Sequence, residues 1–322
     1  MVRGLRFVYG VGTMFEMILS FDKVSAFTLP LVAALALAGF AVPTPRQDLQ
    51  GVEQNSPPPA LVLTSLSVES SAELASVFEQ LNYSWPLAPG AGVPALALDA
   101  LPGDLMDVRD VDKRKALFFR ALLPVVLVEN QRIMTVRGQI EALFAADRIS
   151  NEQWQWLGTV AEHYGVYGRL DDPNKRRRLL RRVDMVPPEL ALAQAANESA
   201  WGTSRFARQG NNLFGQWTYR QAEGMIPRNR PEGATYAVRS FPSIDASVRA
   251  YLHNLNTNRA YGELRVSREQ MRLAGEAPDG VALARGLTAY SARGEAYVAE
   301  IQAMIRSNRL RNVLASVVLR LE

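Results

Sequence analysis

Residues Pro187–Gly215 read PPELALAQAANESAWGTSRFARQGNNLFG, and the rest of the chain is organised around them. Pro187 and Pro188 offer a proline for a first helical turn, and Glu189 sets a negative charge at the positive end of the helix dipole. Leu190–Ala200 contains no breaker and is rich in Ala and Leu, so the stretch predicts a helix. On it Leu190, Gln194 and Glu198 form one i, i+4, i+8 row, flanked by Ala191 and Ala195. Glu198 is therefore expected to project from a small-residue, apolar face near the negative end of the helix. Burial and the dipole would both raise its pKa there, which suits a general acid working near neutral pH. Gly202 and Thr203–Ser204 end the helix, and Gly210-Asn211-Asn212 makes a turn. Leu213–Thr218 is expected to be the first strand of a small sheet.

A glutamate near a helix end is by default a solvated surface residue. The constellation changes that reading. Asn197-Glu198-Ser199-Ala200-Trp201-Gly202-Thr203-Ser204, followed by Asn211-Asn212-Leu213-Phe214-Gly215, resembles the active-site signature of bacterial N-acetylglucosaminidases of glycoside hydrolase family 73, most closely its Bax-like branch. The resemblance runs from Leu179 to Leu310. It implies an α+β, lysozyme-like fold, with a mainly helical lobe and a small antiparallel β-lobe flanking a substrate groove. It also implies a peptidoglycan hydrolase that cuts the β-1,4 bond between N-acetylglucosamine and N-acetylmuramic acid. Glu198 would be the general acid, peptidoglycan glycan strands the partner, and no metal or other cofactor would be needed.

Glycosidic chemistry also needs a group that stabilises an oxocarbenium-like centre or activates water. In the related enzymes this role is attributed to a carboxylate of the β-lobe. Glu232, just before the second expected strand, is the best placed here, with Glu223 as the alternative. A substrate-assisted route through the 2-acetamido group would need neither. Tyr290 opens Tyr290-Ser291-Ala292-Arg293-Gly294 and resembles the family's C-terminal active-site tyrosine, whereas Tyr297 falls in the apolar stripe of the last helix and reads as core. Asn211, Asn212 and Phe214 are expected to shape the groove floor as substrate-binding residues. Trp201 is either a groove wall or a clamp on the Glu198 helix, and the clamp is favoured. Two other classes stay open. A lytic transglycosylase of similar fold would usually carry a G-L-M-Q block where this chain has Asn211–Gly215. A non-catalytic wall-binding module would not need to retain Glu198.

Outward from the motif, Val24–Ala41 is an almost unbroken apolar run after Lys23, with small residues at its end. It reads as a secretory signal in residues 1–41, with an uncleaved membrane anchor as the alternative, so the remainder is expected in the periplasm or cell envelope. The chain has no cysteine, which excludes disulfides and thiolate metal sites, and its two histidines are too few for an imidazole cluster. Roughly 280 residues beyond Ala41 suffice for a core without such staples. Residues 42–103 read as a leader and linker: Arg46–Ala60 holds Pro57-Pro58-Pro59, and Trp85–Gly103 is again rich in Pro and Gly. Between them, Leu61–Leu81 fits either a strand or a helix capped by Ser70 or Ser71.

Residues 104–178 read as a helical N-terminal part of the catalytic region, and 179–322 as the glucosaminidase domain. In the former, Asp112 is expected to cap a helix over Lys113–Leu123 that Pro124 interrupts, and Ser150 with Gln153 forms a capping box. Lys175–Arg182 (KRRRLLRR) is the densest charge run. It reads as a solvated helix with Leu179, Leu180 and Val183 turned inward, its charge attracting an anionic wall polymer. A net charge of only +4, with export, argues against nucleic acid. After the motif, Leu213–Thr218 and Thr235–Phe241 are expected as two strands joined by a long polar loop. Helices follow over the segment capped by Ser243, over Tyr261–Leu273 and Asp279–Thr288, and from Glu295 onward.

Overall fold

The helix expected from the central stretch lies at the heart of the molecule. In the computed structural model, which describes residues 63–320, it spans Pro188–Ser199 (α5; elements are numbered in chain order) and is buried continuously from Glu189 to Ala196. A helix buried on every side has to be enclosed by its neighbours. Here α2 (Val111–Ala145) and α10 (Glu295–Ser307) pack against it, and α7 (Ile244–Thr257) packs on α2. Ser243 caps α7 by accepting from the Ala246 N–H. The apolar run 24–41 and the Pro-rich tether 46–60 lie outside the described residues.

α2 differs from expectation at two points. Its cap is Asp110, which accepts from the Lys113 N–H, and the helix continues through Pro124. Pro124 and Leu117–Phe119, Ala121–Val126 and Val128 are all buried, and that packing outweighs the lost backbone bond and ring crowding of an internal proline. Beyond the proline, α2 leaves the main core and helps form a second one. There Ile140 meets Leu157 and Val160 of α3 (Asn151–His163), and Leu179 of α4 (Pro173–Arg182) with Val183. The Ser150–Gln153 capping box forms as expected, while Leu180 is only partly buried.

Residues 63–103, expected as leader and linker, are integral to the fold. β1 (Thr64–Leu66) pairs in parallel with β3 (Leu96–Leu98), and β2 (Gly92–Pro94) in parallel with β7 (Val318–Arg320) near the other end of the chain. α1 (Ser71–Gln80), capped by Ser70, sends Leu74 and Phe78 into the main core, where Leu87, Leu98 and Leu101 join them.

The β-lobe is a three-stranded antiparallel sheet in the order β4-β6-β5: β4 (Trp217–Thr218), β5 (Gly224–Met225) and β6 (Ala237–Arg239). One strand more is present than expected, because β5 lies inside the segment read as loop. β4 is shorter than Leu213–Thr218 because Leu213 and Phe214 turn into the core. α6 (Arg205–Gly210) precedes the sheet, and α8 (Gly262–Leu273), α9 (Gly280–Leu283) and α11 (Leu310–Leu314) complete a mostly helical, mixed fold. Among the described residues no helix is long and apolar enough to cross a membrane.

Candidate active site

The motif Glu198–Ser204 is a helix ending that aims one carboxylate. Ser199 is fully buried; its hydroxyl donates to the Ala195 carbonyl at 2.6 Å and accepts from the Gly202 N–H at 2.8 Å. Ala200, Trp201 and Gly202 take φ values of 50°, 60° and 78°, turning the chain sharply away. The left-handed region costs a non-glycine residue roughly 1–2 kcal/mol, so surrounding packing must hold Ala200 and Trp201 there. Trp201 packs edge-on against Phe118 and Phe119 at 5.9 and 5.2 Å between ring centroids, with the Lys115 ammonium 5.0 Å from its own. It is a clamp on the helix end. Ser204 then caps α6 by accepting from the Ala207 N–H.

Glu198, left half-exposed at this ending, is approached by the second half of the motif. Gly215 takes φ 64°, and a Cβ built there would stand 3.3 Å from Glu198 Oε2. The glycine of Asn-Asn-Leu-Phe-Gly thus lets the backbone come close beneath the carboxylate. The residues before it act on the backbone. Asn211 donates to the Asp99 and Phe241 carbonyls. Asn212 donates to the Gln216 and Arg239 carbonyls and accepts from the Gln216 N–H. Phe214, 1% exposed, lies flat on Tyr251 at 3.9 Å. Asn212 bonds the turn backbone as expected, and both it and Phe214 are buried, supporting the site from below.

The tyrosines divide differently from expectation. The Tyr290 hydroxyl donates to the Phe214 carbonyl at 2.8 Å, which pins the Gly215 approach, while its ring stacks on Tyr297 at 5.5 Å. Tyr297, read as core, is fully buried, yet its hydroxyl bonds the Glu198 carboxylate. Gln194, one turn before Glu198, sets the direction of that bond. The Tyr251 hydroxyl donates to Gln194 Oε1 at 2.7 Å, which turns the Gln194 amide nitrogen to donate to the Tyr297 oxygen at 2.9 Å. With its oxygen accepting from Gln194, the Tyr297 proton is free to point at Glu198. The sequence places Gln194 and Glu198 on one row but carries no sign of the two tyrosines that close this chain of hydrogen bonds.

Burial raises the Glu198 pKa above the ordinary carboxylate value, opposed by the hydrogen bonds from Tyr297 and Asn197 and by the charge of Arg293; Glu300 adds a smaller upward push. Arg293 pairs with Glu300 at 2.5 Å and lies over the Tyr297 ring. Glu232 is exposed in the turn before β6, and Glu223 pairs with Arg220 at 3.0 Å. Neither is among the charges that shift Glu198. Trp217, two residues beyond Gly215, was not singled out from the sequence. It is 39% exposed and packs on Tyr236 at 4.2 Å. Two residues span at most about 7 Å, so its backbone stays close to the carboxylate.

Residues 175–310 match the family described as mannosyl-glycoprotein endo-beta-N-acetylglucosaminidase. Over 200 residues the chain is 34% identical to Protein bax of Escherichia coli (strain K12), a stretch covering 61% of this chain and 70% of that protein. No solved structure matches the chain.

Proposed function

Because the chain belongs to the glucosaminidase family, we propose that it hydrolyses the β-1,4 bond between N-acetylglucosamine and N-acetylmuramic acid in peptidoglycan, with Glu198 as general acid. The observation that carries this reading is the half-buried Glu198 carboxyl at the end of α5, with Gly215 close beneath it and its pKa raised by burial. A carboxyl in that state is protonated over a wider pH range and can deliver its proton to the leaving oxygen as the glycosidic bond breaks. Charge then develops at the anomeric carbon, and a water completes hydrolysis.

Glu232 is our assignment for the second group, with Glu223 as the alternative in the same lobe. The 2-acetamido route is the third, since it needs no second carboxylate. Substrate would lie in a groove between the helical body and the β-sheet, with Trp217 on Tyr236 offering an exposed aromatic face to a sugar ring. We place this activity outside the cytoplasm, in the periplasm or cell envelope, on the strength of the apolar run 24–41; that run also allows N-terminal membrane association.

Mass spectrometry of the products from purified peptidoglycan tests the reading. Hydrolysis predicts fragments with reducing N-acetylglucosamine ends. Anhydro-sugar ends would instead establish a lytic transglycosylase, and unchanged peptidoglycan a binding module.

A further inference from the structure

The charge run of α4 does not spread into solvent as a plain surface helix would. It forms one wall of a cavity of about 910 Å³ whose other wall is the start of α8 and the turn before it. Six arginines line the cavity: Arg177, Arg178, Arg181 and Arg182 from α4, with Arg259 and Arg265 opposite. Among the described residues, two carboxylates offset them. Glu269 pairs with Arg177 and Arg181 at 2.8 and 2.7 Å, and Glu263 lies on the cavity wall, which leaves a surplus of four positive charges.

Two of these guanidinium groups are held in place from behind. Arg182 donates through Nη1 to the Tyr164 and Gly165 carbonyls, and Arg265 through Nη1 to the Leu255 and Asn258 carbonyls. Each has further N–H donors in its planar fork. Arg178 and Arg259 are exposed at the rim and form no ion pair among the described residues. Burial first, and then the charges of Arg182, Arg268, Arg178 and Arg181, bring the Arg265 pKa down to about 9. An anion in the cavity would relieve this repulsion.

We infer that the cavity between α4 and α8 is a binding site for a phosphate-bearing ligand. A phosphate brings up to twice the charge of a carboxylate in a similar volume, and several acceptor oxygens that match forked guanidinium donors from opposite walls. This site is independent of Glu198 and of the glycosidase reading. Its phosphate can belong to a soluble polyanion or to a lipid headgroup.

The test uses the full chain with tripolyphosphate as probe, followed by calorimetric titration at physiological salt. The double variant Arg178→Ala/Arg259→Ala removes two exposed donors that no described residue engages. It should weaken binding by about tenfold or more while leaving the thermal unfolding transition unchanged. Arg109→Ala/Arg148→Ala, the same charge change at exposed positions elsewhere, should bind as wild type does. Single Arg178→Gln and Arg259→Gln variants give the same reading should the double variant unfold. No binding by the wild type, or equal weakening in the two double variants, would overturn the site. Co-sedimentation with phosphatidylglycerol vesicles identifies the source. Loss of vesicle binding in the Arg178/Arg259 variant makes the ligand a lipid headgroup, and vesicle binding that is absent or unchanged makes it a soluble phosphate.

Discussion

At Tyr297 a single side chain serves both the core and the chemistry. Its ring is stacked on Tyr290 and its hydroxyl stands between Gln194 and Glu198. The bond it donates favours the carboxylate form of Glu198 and so limits how far burial can raise that pKa. Tyr297→Phe keeps the ring and removes the donor, so the Glu198 pKa should rise further. A general acid is active while protonated, and the basic limb of the pH–activity profile falls as pH passes its pKa. That limb should therefore move to higher pH in Tyr297→Phe; an unmoved limb, or one shifted to lower pH, would contradict the arrangement. The position of Glu198 was legible from the i, i+4, i+8 row, because helical periodicity alone decides which residues share a face. The role of Tyr297 was not legible. An amphipathic stripe reports that a tyrosine is buried, but the partner of its hydroxyl belongs to another helix that only the fold brings near.

At the level of the element, the ending of α5 governs the site. Gly202 is held at φ 78°, and a Cβ there would come within 2.4 Å of Leu101 Cδ1 and 3.2 Å of Phe118. Gly202→Ala combines a left-handed penalty of roughly 1–2 kcal/mol with overpacking of about 1–3 kcal/mol. For a chain of this size that corresponds to a fall in Tm on the order of 10 °C. Thermal unfolding checks it, and a variant as stable as wild type would show that the helix ending is not packed as described. The helix and its stop were legible from composition and breakers. The β-lobe was only partly so: β5 is a two-residue strand, too short for alternation to register, and β4 is cut short because Asn212 turns the chain and buries Leu213 and Phe214.

Across the whole molecule, the largest departure from expectation is the segment 63–103. Its Pro and Gly content resembles a linker, yet Leu74, Phe78, Leu98 and Leu101 are buried and β2 holds β7 in place. Gly92 is needed at that pairing, because a Cβ would collide with the Arg320 side chain, which itself donates to the Leu81 carbonyl at 2.8 Å. Pairings between distant three-residue strands leave no local trace in a sequence, so this part of the fold could not be read in advance. A fragment beginning at residue 104 should lack a cooperative thermal transition, whereas one beginning at residue 63 should unfold in a single step. Equal cooperativity in both fragments would return 63–103 to the status of a linker.

The central claim is that Glu198 supplies the proton, and turnover of peptidoglycan by Glu198→Gln tests it most directly. Gln is nearly isosteric and can accept the Tyr297 hydrogen bond, so the helix ending should persist. Because burial raises the folded-state pKa of Glu198 above its ordinary 4.5, the stability it contributes is full below that value and is lost as pH rises through the folded pKa. Glu198→Gln should accordingly match wild-type Tm at acid pH and exceed it above the folded pKa. Turnover should fall by about 10²–10⁴ with the fold intact. A folded variant that retained more than about a tenth of wild-type turnover, above the low end of that loss, would contradict the assignment.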